Sequence, residues 1–366
     1  MKILVTGATG FVGSVLMPRL IERVGAESLS AFLLPDDQVP PAWAGRGVRV
    51  LSGDIADGKA VADAVEGHSH VIHMAGFISY WKRDLPRLMT VNRDGVRCVV
   101  DACLRHGVRR LIHVSSVGAI GFHKNGEPAA EDAPYNWPST IPYMASKYEG
   151  QRIVDAAVRE RGLPAVIINP ASIMGPGARS RLKMHNQIYR RISHKHFFGA
   201  PPGGVAIVDV RDLVEIILKS FERGRIGEKY LAVGANISCA DLVRLIGRTC
   251  GRNVHPFKIP APLLAAAGGF LELISFVTHR EPLLTFAYGR IGGWRAYYSN
   301  EKSRREFGHS YIPIEQTVAD GWAYFSENFG GPRALPGSAF AVLGRGSIPR
   351  ASTAADSLIF KIPGSL

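Results

Sequence analysis

The sequence predicts a doubly wound α/β fold, a parallel sheet with helices on both faces, followed by a smaller, mostly helical C-terminal domain. Three observations predict it. Apolar runs alternate with helical patterns through the first half of the chain. A glycine-rich turn, Thr6-Gly-Ala-Thr-Gly-Phe-Val-Gly13, joins the first apolar run to the first amphipathic stretch. The residues that could carry chemistry follow the apolar runs, at the carboxyl ends of strands, where such sheets bind ligands. The chain has 366 residues, 46% of them hydrophobic, enough for a buried core.

Strands are expected at residues 2–5, 29–34, 48–51, 70–73, 110–114 and 165–168, with helices at 14–24, 59–65, 85–106 and 143–161 between them. After Pro176 the alternation stops. Residues 179–198 are basic and read as helical, 205–208 and 229–233 read as strands returning to the first domain, and 238–251, 262–277 and 300–329 read as mainly helical. The expected organisation is a dinucleotide-binding domain over 1–176, completed by 205–234, and a substrate domain from 177–204 and 235–329. From 330 to 366 the composition shifts to Gly, Pro, Ser and Ala, which suits a disordered tail.

Strand, glycine-rich turn and helix form the arrangement that binds a dinucleotide pyrophosphate. Gly7 permits the tight turn, Gly10 lets the backbone approach the phosphates, and Gly13 lets the helix pack on the strand. The positive end of the helix then faces the anion. Alone, the turn also fits a loop with no ligand, and its first two glycines are one residue further apart than in G-x-G-x-x-G.

The formal charge of +13 suits an anionic ligand, an acidic membrane surface or a solvated basic face. No basic run interleaved with aromatics suggests a nucleic-acid partner. The densest basic group is Arg179, Arg181, Lys183, Arg190, Arg191 and Lys195. Cys98, Cys103, Cys239 and Cys250 form no C-x-x-C pair, and the 12 histidines include no H-E-x-x-H, so no metal site is expected. Free thiols and the lack of a signal-peptide pattern point to a reducing, cytoplasmic setting. Residues 259–277 are apolar but contain Glu272, Gly268, Gly269, Pro260 and Pro262. That argues against a membrane span and leaves two readings, a helix facing a substrate cleft or one lying on a membrane surface.

Tyr143-Met-Ala-Ser-Lys147 places a phenol and an ammonium one helical turn apart. A nearby cation would stabilise the phenolate and lower a pKa that is about 10 in solution. Such a tyrosine can exchange a proton with an alcohol or alkoxide. The same spacing recurs in Tyr298-Ser-Asn-Glu-Lys302, which no cofactor-end strand precedes; that pair is expected to be structural. Ser115 and Ser116 close the apolar run at 110–114, where a hydroxyl could hold a substrate oxygen or simply cap a turn. Asn92, inside a helical pattern, could hold a water or a backbone group.

With these motifs the chain resembles the extended short-chain dehydrogenase/reductase superfamily. The N-terminal turn, Asp54-Ile55, His73-Met-Ala-Gly76, Asn92, Ser115-Ser116, Tyr143/Lys147, the Asn169-Pro-Ala-Ser-Ile-Met-Gly-Pro-Gly177 loop and Val208-Asp-Val-Arg-Asp212 all fit, from Met1 to about Phe329. Phe77-Ile-Ser-Tyr-Trp81 and the 298–302 segment suggest the branch of dihydroflavonol reductases, 3β-hydroxysteroid dehydrogenases and hopanoid-associated epimerase-like proteins. The resemblance implies a Rossmann domain and an enzyme. Tyr143 would be the acid/base, Lys147 would lower its pKa and bind the nicotinamide ribose, and Ser116 rather than Ser115 would hold the substrate oxygen. Gly7, Thr9, Gly10 and Gly13 would hold the pyrophosphate with the backbone of Phe11 and Val12. Asp54 and Ile55 would flank the adenine. Ala75, Gly76, Asn92, Ser115 and Pro170 would lie along the cofactor.

Leu33-Leu34-Pro35-Asp36-Asp37 puts carboxylates, not a cation, where NADP-using relatives often carry a basic residue. Asp36 could accept from a ribose hydroxyl, which favours NAD over NADP. The expected reaction is hydride transfer between nicotinamide and a secondary alcohol or ketone. Phe77, Tyr80, Trp81, Trp137 and the 259–277 stretch would line an apolar cleft for a sterol-, terpenoid- or flavonoid-like substrate, although each could be core. The alternatives are a nucleotide-sugar epimerase with tightly held NAD, whose diphosphate the basic group around Arg179 would clamp, and a non-catalytic dinucleotide sensor. By analogy with relatives, a homodimer through 85–106 and 143–161 is expected.

Overall fold

The structure, a computed structural model, describes residues 1–177 and 185–329. Arg179, Arg181, Lys183 and the expected tail at 330–366 lie outside the described residues. The strands are β1 (Ile3–Thr6), β2 (Leu29–Leu33), β3 (Arg49–Ser52), β4 (His70–His73), β5 (Arg110–Val114), β6 (Ala165–Pro170), β7 (Ser172–Met174), β8 (Phe197–Ala200), β9 (Gly204–Asp209), β10 (Lys229–Ala232), β11 (Ala235–Ser238), β12 (His255–Lys258) and β13 (Arg295–Ala296). The helices are α1 (Phe11–Val24), α2 (Gly58–Val65), α3 (Leu85–Met89), α4 (Gly95–Arg105), α5 (Pro142–Arg161), α6 (His185–Ile192), α7 (Val210–Arg223), α8 (Cys239–Thr249), α9 (Ala261–Thr278), α10 (Phe286–Ile291), α11 (Glu301–Phe307) and α12 (Ile314–Phe329).

The large sheet has the order β10-β6-β5-β4-β1-β2-β3, and every pair in it is parallel. The order reverses beside β1, and that reversal opens a crevice at the carboxyl ends of β1 and β4. Both faces are covered. Ile3, Val5, Ile72, Ile112 and Ile168 pack with α1 and α7, whereas Leu4, Val71, Leu111 and Ile167 pack with α2, α4 and α5. Burial on both faces explains why these strands read as continuous apolar runs.

Two expectations change. The helix expected at 85–106 is α3, a π-helical turn at Thr90–Asp94, and α4. The strand expected at 205–208 does not return to the large sheet. It lies in β9, at the centre of a second sheet ordered β11-β9-β13 and joined by β7. The place beside β6 is taken by β10 instead. A third, two-stranded sheet pairs β12 with β8. Asp209 caps α7 and grips Arg211, whose guanidinium reaches Asp320 on α12 at 2.7 Å. Asp212 accepts from the Ile312 N–H at 2.9 Å and pairs with His309 at 3.0 Å. The Val208–Asp212 motif therefore fastens the C-terminal helices to the sheet.

Candidate active site

The turn after β1 is built for close approach. Gly7 has φ +75°, and a Cβ there would stand 2.8 Å from the Ala75 nitrogen. A Cβ on Gly13 would stand 2.5 Å from the Ala8 carbonyl oxygen, so α1 packs on the turn only without a side chain. Gly10 is the N-cap of α1; it offers no side-chain cap, and the first turn of the helix carries no carboxylate. A turn with no side-chain cap, leading into a helix whose first turn carries no carboxylate, fits a pyrophosphate. Thr9 donates to Asp37 at 2.9 Å, which ties the loop after β2 to this turn. Asp36 and Leu34 are exposed beside it. Asp54 is exposed at the end of β3, where it accepts from the Ala56 N–H, while Ile55 is buried against Gly95 of α4.

The end of β4 is held by Thr6. Its hydroxyl oxygen accepts from the Met74 and Ala75 N–H groups, each at 3.2 Å, and shares a 2.8 Å hydrogen bond with His73 Nδ1. With two donors already on the oxygen, the Thr6 O–H is the donor to Nδ1 and the imidazole proton sits on Nε2. His73 stacks on His113, its register partner, with ring centres 5.4 Å apart. Burial, and then Lys147, pushes the His73 pKa down to about 3. His113 is driven well below its ordinary value by burial, His73 and Lys147.

Asn92 sits in the π-helical turn with both amide hydrogens engaged, one by the Phe77 carbonyl at 2.8 Å and one by Ser146 at 2.9 Å. Its oxygen accepts from the Phe77 N–H at 2.8 Å. It clamps the segment after β4 to α5, holding the backbone of Phe77 as the sequence reading allowed. A Cβ on Gly150 would lie 2.1 Å from the Asn92 carbonyl oxygen, so α5 presses directly on that turn.

Tyr143 lies in the first turn of α5, after Pro142 at the helix start. The Ser116 side chain lies near its phenol. Lys147 follows one turn later, buried, 3.4 Å from the Val114 carbonyl oxygen and next to Gly76. The structure therefore gathers Ser116, Tyr143 and Lys147 beside the crevice. One expectation is corrected: burial raises the Tyr143 phenol above its ordinary value, a rise that the neighbouring Ser116 side chain opposes. Burial pushes the Lys147 ammonium down to about 8. Ser116 also caps the next turn through the Gly118 N–H, and its carbonyl accepts from Asn169, which donates to Gln151 as well. The Ser115 hydroxyl is buried with no hydrogen-bond partner. Pro170 ends β6 in register with Ala232.

The wall of the cleft is aromatic. Tyr80 meets Tyr143 edge-on at 5.7 Å and Tyr288 of α10 at 4.7 Å. Tyr288 lies far along the chain, and no local motif marks it. Phe77 lies under the Arg87 guanidinium at 4.2 Å. Trp137 is not in the cleft: its N–H donates to the Ile120 carbonyl at 2.9 Å, and its ring is buried against Phe122 and Trp294. Tyr298 is likewise core, with its hydroxyl donating to the Val117 carbonyl, and Lys302 pairs with Glu228 at 2.6 Å. Among the described residues no cluster of His, Cys, Asp or Glu could hold a metal.

The profile of the NAD dependent epimerase/dehydratase family matches residues 3–233. The chain belongs to that family and is an NAD-dependent enzyme of the extended short-chain dehydrogenase/reductase type. It is 29% identical over 330 residues to sterol demethylase protein B of Methylococcus capsulatus, covering 89% of this chain and 99% of that protein. It is 34% identical over 340 residues to 2-alkyl-3-oxoalkanoate reductase of Stenotrophomonas maltophilia, covering 86% and 95%. The crystal structure of gox2253 superposes with a TM-score of 0.76 at 30% identity, covering 90% of this chain and 98% of that one.

Proposed function

We propose that the enzyme transfers hydride between NAD and a ketone or secondary alcohol on a largely apolar, amphiphilic substrate. The observation that carries this reading is the aromatic wall of Tyr80 and Tyr288 standing beside Tyr143. The names of two relatives point the same way, one to a sterol and one to a 3-oxo acid. The bound cofactor supplies or accepts the hydride. Gly7, Gly10 and Gly13, with the backbone at Phe11 and Val12, would hold its pyrophosphate, and Lys147 beside Gly76 its nicotinamide ribose. Thr9 and Asp37 would stand near the adenosine ribose, where the loop after β2 presents a carboxylate, so NAD is favoured over NADP.

Tyr143 is the proposed proton donor and acceptor. Burial keeps its phenol protonated at neutral pH, which suits donation to the oxygen of a ketone being reduced. Ser116, near that phenol, would hold the same substrate oxygen. Asn92 positions the wall by fixing Phe77. Incubating the enzyme with NADH and 3-oxo acids or 3-ketosteroids tests the reading. It requires stoichiometric NADH loss, whereas turnover of a nucleotide sugar with no net cofactor change would replace it with epimerisation.

We infer a homodimer through the outer faces of α4 and α5. A groove of about 770 Å³ runs there, lined by Arg97, Tyr148, Glu149 and Arg152 among others. The reading also includes a peripheral membrane contact through residues 259–277.

A further inference from the structure

Helix α9 is the one described helix long and apolar enough to cross a membrane, yet within it only Ala265, Gly268 and Ser275 are buried. Its inward stripe packs on α10 with almost no separation. A Cβ on Gly268 would lie 2.4 Å from the Thr285 carbonyl oxygen, and one on Gly289 2.5 Å from that of Leu264. Glu272, the helix's one charged residue, shares this inward stripe by its spacing from Gly268 and Ser275. Leu263, Phe270, Leu273, Ile274 and Val277 recur at i, i+7, i+10, i+11 and i+14, on the opposite side. All five are exposed, Val277 to 82% and Leu273 to 65%. Leu283, in the connection to α10, is 78% exposed. An uncovered apolar stripe of this extent marks an interaction surface.

Cations fringe it. The Arg83 guanidinium lies 4.8 Å from the Phe276 ring and 3.0 Å from His279 Nδ1, and Arg280 follows, exposed. Lys258 stands exposed just before the other end of the helix. Glu281 sits by Arg280, its carboxylate turned to the Ser79 hydroxyl at 3.4 Å.

We propose that the outward stripe of α9, with Leu283 and the flanking cations, seats the enzyme on a bilayer surface rich in anionic lipid. The charge decides the occupant. A second copy would bring the same arginines and lysine, and another +13, against this fringe. An anionic headgroup layer complements it. The helix lies in the interface rather than across it, because the chain on both sides of the α9–α10 hairpin is stitched to the body, by β12 on β8 and β13 on β9. Tyr288 on α10 joins this surface to Tyr80 and Tyr143, so the cleft stands next to the lipid. The docking surface deepens the membrane contact proposed above; delivery of an amphiphile from the bilayer rests in addition on the hydride-transfer reading, which flotation does not test.

Flotation of the full-length protein tests this without any substrate. The vesicles are phosphatidylcholine alone, or phosphatidylcholine and phosphatidylglycerol in equal parts. Binding is expected to the mixed vesicles and to fall about tenfold or more in Leu273→Glu and Val277→Glu. It should weaken in Arg280→Glu and at about 1 M salt, where the Debye length is about 3 Å. NADH affinity, read by fluorescence, stays at the wild-type value in each variant and shows that it is folded. Failure to float, or equal flotation of wild type and Leu273→Glu, overturns the proposal. So does a wild-type oligomer that Leu273→Glu converts to a smaller species, since a second copy would then cover the stripe.

Discussion

Lys147 Nζ lies 3.4 Å from the Val114 carbonyl oxygen, and burial holds its pKa near 8 against an ordinary value of 10.5. The charged form is therefore costly in the folded protein. Below pH 8 both folded and unfolded chains carry the proton and the cost is complete. Between pH 8 and 10.5 the unfolded chain binds more protons, so stability rises with pH in that window. Lys147→Met should lose catalytic activity while gaining up to about 3 kcal/mol at pH 7 without cofactor. Its advantage should shrink as pH rises above 8. Thermal melts of both proteins from pH 7 to 10 check it; a less stable variant at pH 7 contradicts it.

The buried histidines act at the other end of the scale. The His73 pKa falls from 6.5 to about 3 on folding, and that of His113 falls well below 6.5. As pH drops below 6.5 the unfolded chain takes up protons first, so stability should decline between pH 6.5 and 3. Replacing His113 by Leu should flatten that decline. Melting temperatures recorded from pH 7 to 4 decide the matter, and parallel curves would remove the pair from the acid response.

Gly7→Ala should damage the nucleotide turn. The left-handed backbone at φ +75° alone costs about 1–2 kcal/mol with a Cβ, and the contact with the Ala75 nitrogen adds to it. Calorimetric titration should show NAD affinity falling at least about tenfold, since 1.4 kcal/mol is one decade. Unchanged affinity would show that the turn adapts.

The Thr9–Asp37 bond bears on cofactor choice. A 2′-phosphate would meet a carboxylate at Asp37 and no lysine or arginine between Leu33 and Asp37. NAD should be preferred by about tenfold or more in kcat/KM, and Asp37→Ala should narrow the gap. Steady-state kinetics with both cofactors measures it; a preference for NADP contradicts this reading of the loop.

The strands of the large sheet could be read from the sequence because each is buried on both faces and so appears as an unbroken apolar run. The glycine turn after β1 is legible because Gly7 and Gly13 leave no room for a side chain. Shorter strands such as Phe197–Ala200 and Arg295–Ala296 owe their state to a partner strand, and nothing local announces them. The π-helical turn at Thr90–Asp94 hides within a helical period. Tyr143, Lys147 and Ser116 were visible by spacing and position, but their electrostatics were not: only the folded neighbourhood shows that burial governs the phenol. Trp137 misled because an aromatic residue looks alike in a core and in a cleft until its N–H finds the Ile120 carbonyl. Tyr288 was missed because tertiary packing alone brings it to Tyr80.

The proton-transfer role of Tyr143 is the central claim, and Tyr143→Phe tests it most directly. The measurement is kcat for NADH-dependent ketone reduction alongside NADH affinity by fluorescence. The account predicts a fall in kcat of about two to four decades, the usual contribution of a positioned acid or base. NADH affinity should stay within about twofold, because the lost hydroxyl is not needed to hold the nucleotide. Full activity in the variant, or loss of NADH binding in step with activity, would contradict it.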